Sequence, residues 1–175
     1  LTPGLGPTVG VAVTCEMDSS TPNHLADGDA EGYWEQLEEM TALDVPIVWA
    51  VRCVGSRSEH ECVIGDGMAK TLYASGCVGL VTNGGVRDVA GLLTTPFAAY
   101  GAGVTIHHCK LRVGKRGVPV EIGGITVQPG EVLHAGAEGV IKIAGGAIDE
   151  LLARAPAYRA FEHEAHQMLR RTDLR

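Results

Sequence analysis

The stretch GDGMAKTLYASGCVGLVTNGGVRDVAGL, residues 65–92, decides the fold. At its centre, residues 78–82 (VGLVT) form a short uncharged run, the pattern of a strand buried on both faces. Ahead of it, residues 68–75 (MAKTLYAS) read as a compact helix closed by Gly76. Behind it, Asn83-Gly84-Gly85 breaks the run, and residues 86–93 read as a short helix or turn. The same alternation extends upstream. Residues 47–54 (IVWAVRCV) read as a central strand and residues 9–14 (VGVAVT) as another. Between them a helix is expected over 33–43, where Leu37, Met40 and Ala42 alternate with Glu35, Glu38 and Glu39. Strand, helix and strand in this order make a parallel βαβ unit, and the fold class is α/β.

From Pro96 onward the pattern changes. Short strands are expected at 97–100, 104–107, 110–113, 118–122, 125–127, 131–134 and 140–143, with Gly-containing turns between them. Residues 148 to about 171 read as helical, with an interruption near Pro156. There is no internal repeat and no linker. The expectation is one domain over 1–175: a βαβ part, a β-rich part and a C-terminal helix.

Composition narrows the function classes. The chain has 175 residues, enough for one sizeable core, and its 24 glycines follow no collagen period. A net charge of −7 argues against nucleic acid or an anionic membrane as partner. No apolar run reaches the ~18 residues of a membrane helix, and no signal peptide is recognisable. Five cysteines without a CxxC motif fit a reducing compartment, so a cytoplasmic location is expected and the cysteines read as small core residues.

In open parallel sheets, ligands bind outside the carboxyl ends of the strands. Two loops occupy such positions: Gly65-Asp66-Gly67-Met68, entering a helix, and Asn83 to Asp88, leaving the strand VGLVT. If those strands are neighbours, the loops share a crevice. Asp66 and Asp88 are hard oxygen donors suited to Mg²⁺ or Mn²⁺. Arg87 offers a planar fork for a carboxylate and a permanent charge beside a developing enolate. The amides of Gly67 and Met68 open a helix and can hold an anion. Such a set suits binding and polarisation of a small 2-oxo acid. Each residue also has a plain structural reading: Asp66 as a helix cap, Arg87-Asp88 as a surface ion pair.

The pattern Gly-Asp, twenty residues, then Arg-Asp, in its context over 65–92, closely resembles the class II 4-hydroxy-4-methyl-2-oxoglutarate aldolases and the RraA-like proteins grouped with them. The resemblance continues through PVEIGGITVQPGEVLHAGAEGVIKI, residues 119–143, and covers roughly 60 to 145. It implies an α/β/β sandwich, usually assembled as a trimer with sites between subunits. It implies Asp88 as a direct metal ligand, Asp66 as the holder of a metal-bound water, and Arg87 as the residue that binds substrate and stabilises the enolate. Gly67 and Met68 match the positions whose amides hold the pyruvyl carboxylate. The implied activity is metal-dependent retro-aldol cleavage of 4-hydroxy-2-oxo acids (4-hydroxy-4-methyl-2-oxoglutarate or 4-carboxy-4-hydroxy-2-oxoadipate type) to pyruvate, with oxaloacetate decarboxylation through the same enolate. The alternative is a non-catalytic regulator that binds a ribonuclease, as some RraA-like proteins do.

Departures are visible as well. The family's Pro-Gly-Asp is Pro-Gly-Glu at Glu131, Gly136 stands where an Asp is usual, and the helix ahead of the first strand has no counterpart. The histidines do not make a zinc motif: His107-His108 would point to opposite faces of a strand, and His163 and His166 lie on a polar helix face. Lys70, one turn into the short helix, reads as an ordinary exposed lysine rather than a Schiff-base nucleophile.

Overall fold

The computed structural model describes residues 1–2, 4–108 and 110–170. Cys109 and the end of the chain from 171 lie outside the described residues. The chain divides into one unit over Leu1–Lys142 and a second that begins at Ile143.

In chain order the elements are β1 (Thr8–Met17), α1 (Glu31–Thr41), β2 (Ile47–Cys53), β3 (Cys62–Ile64), α2 (Asp66–Ala74), β4 (Cys77–Thr82), β5 (Gly85–Val86), α3 (Val89–Leu92), β6 (Ala98–Tyr100), β7 (Gly103–Val104), β8 (Val113–Arg116), β9 (Val120–Ile122), β10 (Ile125–Val127), β11 (Val132–Gly136), β12 (Gly139–Ile143) and α4 (Ile148–Leu169). The main sheet runs β12-β11-β1-β2-β4-β6, with β8 also on β1. Its β1-β2-β4-β6 portion is parallel, as the βαβ reading requires, while β11 and β8 join β1 antiparallel.

Alternation along β2 builds the layers. Ile47, Trp49, Val51 and Cys53 face one core together with Tyr33, Leu37 and Met40 of α1 and Ala69 and Leu72 of α2. Val48 and Ala50 face the opposite core, with Val120, Ile122 and Val127 of the β9-β10 hairpin. Helices, sheet and hairpin thus stack as an α/β/β sandwich, the fold class expected from the sequence. Both faces of β2 are covered, which explains why its sequence is an apolar run instead of an alternating one.

The helical core holds one polar chain. Trp49 Nε1 donates to Gln36 Oε1 at 2.8 Å, and Gln36 Nε2 donates to the Thr14 carbonyl at 3.1 Å. Both side chains are fully buried. Leaving either donor without its acceptor would cost about 1–3 kcal/mol, so the pair fixes how α1 sits on β1 and β2.

Three sequence expectations change. First, α4 runs unbroken through Pro156. A proline inside a helix removes one hydrogen bond and crowds the carbonyl four residues back, here that of Leu152, an exposed residue whose freed carbonyl is open to solvent. Second, residues 105–108 and 110–112 form a loop instead of two strands. The polar groups there bond locally and to other loops: His107 N donates to Thr105 Oγ1, and the Arg112 side chain reaches the carbonyls of Asp18 and Thr21. Third, residues 83–88 contain a strand, β5, described below. The Glu131 departure has a local use: its carboxylate accepts from the Gln128 amide at 2.8 Å and pairs with Lys142 at 3.1 Å. The Gln128 amide first, and Lys142 with it, hold that carboxyl below its ordinary value. The four described cysteines, Cys15, Cys53, Cys62 and Cys77, are buried.

Candidate functional site

A second, three-stranded parallel sheet, β3-β5-β7, positions the site. The sequence reading made the meeting of the two key loops conditional on their strands being neighbours. Instead, β4 pairs with β2 and β6, and β3 pairs with β5. β5 is only Gly85–Val86, too short and too glycine-rich to register as a strand. Its pairing places Gly65, just after β3, beside Arg87, just after β5. The Arg87 amide donates to the Ile64 carbonyl at 3.0 Å.

Glycines close the remaining gap. A Cβ on Gly65 would lie 2.7 Å from Asp88 Oδ2 and 2.9 Å from Arg87 Nε, so a side chain here would push both functional groups out of their present places. A Cβ on Gly91 of α3 would lie 2.6 Å from the Asp66 Cβ. Gly65 therefore lies against Arg87 and Asp88, while Asp66 lies against α3. All three sequence-singled polar residues fall in one place. The sequence reading named Gly65 as part of the Gly65-Asp66 pair without giving it a role of its own, and it missed Gly91, three residues after Asp88.

Neither plain structural reading describes the carboxylates fully. Asp66 is the first residue of α2, and the cap position belongs to Gly65. Its Oδ2 accepts from Lys70 Nζ at 2.8 Å, an i,i+4 pair that the spacing already allowed. The Lys70 hydrogen bond first, then the Lys70 charge, the Gly67 amide and Arg87 hold the Asp66 carboxyl below its ordinary value, against slight desolvation. Asp88 caps α3 by position but makes no side-chain cap bond. Its φ of 54° is the one positive value at a non-glycine among the described residues. Aspartate tolerates this left-handed conformation better than most residues.

Arg87 is 27% exposed and Asp88 48%, with Nε and Oδ2 3.3 Å apart. That is ion-pair range, yet the alignment is poor, and the buried Nε has no hydrogen-bonded acceptor. Gly67 and Met68 follow Asp66 in the first turn of α2, where amides lack intrahelical acceptors; the first helical bond runs from the Ala69 amide to the Gly65 carbonyl. Space is open above Gly67. His107 sits on the loop after β7, and on α4 His163 lies beside Gln167. Among the described residues no three His, Cys, Asp or Glu side chains gather around a common point.

The RraA-like family description, Aldolase/RraA, matches residues 1–142. The chain belongs to the RraA-like family. Protein DlpA of Legionella pneumophila is 28% identical over 116 residues, which is 65% of this chain but only 19% of that much longer protein. Among solved structures, Streptomyces coelicolor RraAS2, described as an unusual member of the RNase ES inhibitor RraA family, superposes with a TM-score of 0.74 at 22% identity, covering 94% of this chain and 79% of the other. The RNA-processing inhibitor RraA from Thermus thermophilis gives a TM-score of 0.63 at 23% identity, over 80% and 77% of the two chains. At these identities the structural likeness establishes the RraA-like fold alone. Among the described residues no helix is long and apolar enough to cross a membrane.

Proposed function

We propose that this chain is a divalent-metal-dependent lyase for small 2-oxo acids, cleaving 4-hydroxy-2-oxo acids to pyruvate and decarboxylating oxaloacetate. The observation that carries this reading is that the Asp88 and Arg87 side chains close over Gly65, occupying the space a Cβ there would need, which brings two loops 20 residues apart into one polar cluster. Two carboxylates, with no third metal-ligating side chain gathered among the described residues, fit Mg²⁺ or Mn²⁺, because Mg²⁺ keeps several waters and is commonly held by one or two carboxylates plus substrate. Asp88 would bind the ion directly and Asp66 would hold one of its waters. Bound there, the ion would supply Lewis-acid polarisation of the 2-keto carbonyl.

The rest is done by the chain's own residues. The open first turn of α2 offers the Gly67 and Met68 amides, and the positive end of the helix dipole, to the pyruvyl carboxylate. Arg87, anchored by its amide to Ile64 and lacking an aligned acceptor at Nε, can direct its guanidinium at charge growing on the 2-keto oxygen. Lys70 neutralises Asp66 in the free protein and would have to yield as the site fills.

Pyruvate release from oxaloacetate or a 4-hydroxy-2-oxo acid is expected to require Mg²⁺ or Mn²⁺ and to stop with EDTA; undiminished turnover after thorough chelation would sink the reading. The second reading, a ribonuclease-binding regulator, is favoured by the inhibitor descriptions of the structural relatives. Stoichiometric recovery of a ribonuclease, together with no turnover on any 2-oxo acid, would establish it instead.

The assembly proposed for this enzyme is a homotrimer. Val104 and Ile106 are 66% and 95% exposed, and Ile125 and Ile141 add further open apolar surface. Sedimentation at micromolar concentration is expected to give about three times the 18.3 kDa chain mass. A single-chain mass would refute it.

A further inference from the structure

A cavity of about 640 Å³ is lined by none of Asp66, Arg87 and Asp88. Its walls are the loop 19–23 after β1, Arg57 and His60 before β3, and Thr105, Ile106, His107, Lys110 and Arg112 after β7. In a chain of net charge −7, five basic side chains line it: Arg57, His60, His107, Lys110 and Arg112. No Asp or Glu does.

The exposed Glu59 pairs with the wall residue His60 at 3.7 Å, and two buried carboxylates sit behind the wall, Asp18 and Glu61, the latter with its Oε2 unpartnered. Glu61, 1% exposed, accepts at Oε1 from the Ser19 amide, the Ser20 amide and Ser20 Oγ. Asp18, 8% exposed, accepts from the Ser20 and Thr21 amides. Burial pushes the Asp18 carboxyl up, but the Thr21 and Ser20 donors with Arg112 outweigh it and hold the group below its ordinary value. These bonds brace the loop from inside.

Arg112 braces it from the other side. Its Nε donates to the Asp18 carbonyl at 2.8 Å, one terminal nitrogen to the Thr21 carbonyl at 2.7 Å, and the other to Asn23 Oδ1 at 3.0 Å. The wall is thus built in advance, which lowers the ordering cost of binding.

What remains is cationic and under-used. The Arg57 guanidinium has no carboxylate partner among the described residues. Lys110 Nζ is held by the neutral Asn23 Oδ1 at 2.7 Å, so its charge is unmatched. The Ser19 hydroxyl, in the same wall, is buried without a hydrogen-bond partner. A buried unpaired hydroxyl in a cationic wall calls for an acceptor.

We propose that this cavity binds a small organic anion through a phosphoryl or carboxylate group, held by Arg57, Lys110 and the Ser19 hydroxyl. Guanidinium and ammonium bonds to oxyanions are the strong class of hydrogen bond, and the volume falls within the range of small-molecule sites and exceeds a lone inorganic ion. The site stands independently of the lyase reading.

The test is calorimetric titration of the metal-free chain with inorganic phosphate and, separately, with succinate, at low salt. Saturable binding of at least one is expected in about the millimolar range, phosphate alone marking a phosphoryl ligand and succinate alone a carboxylate. Arg57→Gln with Lys110→Gln should weaken it at least about tenfold with the unfolding temperature unchanged, since both residues are exposed. Arg87→Ala should leave it intact. No saturation with either probe by about 30 mM, full affinity in the double variant, or loss in Arg87→Ala would each overturn the proposal.

Discussion

Asp88→Asn is expected to abolish metal-dependent turnover while leaving the protein folded. The substitution removes the charge that would hold the ion but keeps a side chain tolerant of the left-handed backbone at φ 54°. Asp88→Ala should lose turnover as completely, with a second consequence. Alanine in that conformation costs about 1 kcal/mol, so this variant alone should also unfold at a lower temperature. Excess Mn²⁺ is expected to restore part of the Asp88→Asn activity, because a neutral oxygen ligand weakens the site without removing it. The measurement is initial rate against metal concentration for wild type and both variants, alongside thermal unfolding. Turnover near that of wild type in a folded Asp88→Asn protein would return Arg87-Asp88 to an ordinary ion pair.

The parallel core was legible in the sequence because β1, β2 and β4 are covered on both faces, and such strands read as apolar runs. The helices α1 and α2 followed from periodicity and from the glycine that ends α2. The site residues were legible as types and spacing, but the reason they meet was not. That reason is β5, two residues with a glycine first, which carries no hydrophobic pattern. It is also Gly65 and Gly91, whose contribution is an absent side chain, visible only when the neighbour's position is known. Residues 105–108 and 110–112 failed as strands for a related reason: their hydrogen bonds go to side chains and distant loops, which period-two patterns do not encode. The basic cavity was equally hidden, since Arg57, Lys110 and Ser19 come from three separate segments of an acidic chain.

Arg87→Ala is expected to lower kcat on oxaloacetate by about 10²–10³, the usual cost of removing one donor oriented at developing charge. The loss should fall on kcat as well as KM, because the substrate ketone is less basic than the charge that replaces it in the transition state. Arg87→Lys should rescue little. It keeps a positive charge, but the ammonium lacks the planar fork, and Lys70 already supplies a point charge at Asp66 from the next turn of α2. Folding should survive either change: the residue is held chiefly by its backbone bond to Ile64, and its one ion pair is partly exposed and poorly aligned. Removing the guanidinium also frees Asp88 Oδ2 from its 3.3 Å neighbour. Metal affinity should therefore hold or rise slightly while turnover falls, and that divergence separates a charge-stabilising arginine from one that merely shapes the metal site. Parallel loss of metal binding and kcat in Arg87→Ala would assign the residue to positioning Asp88, and unchanged kcat would remove it from the chemistry altogether.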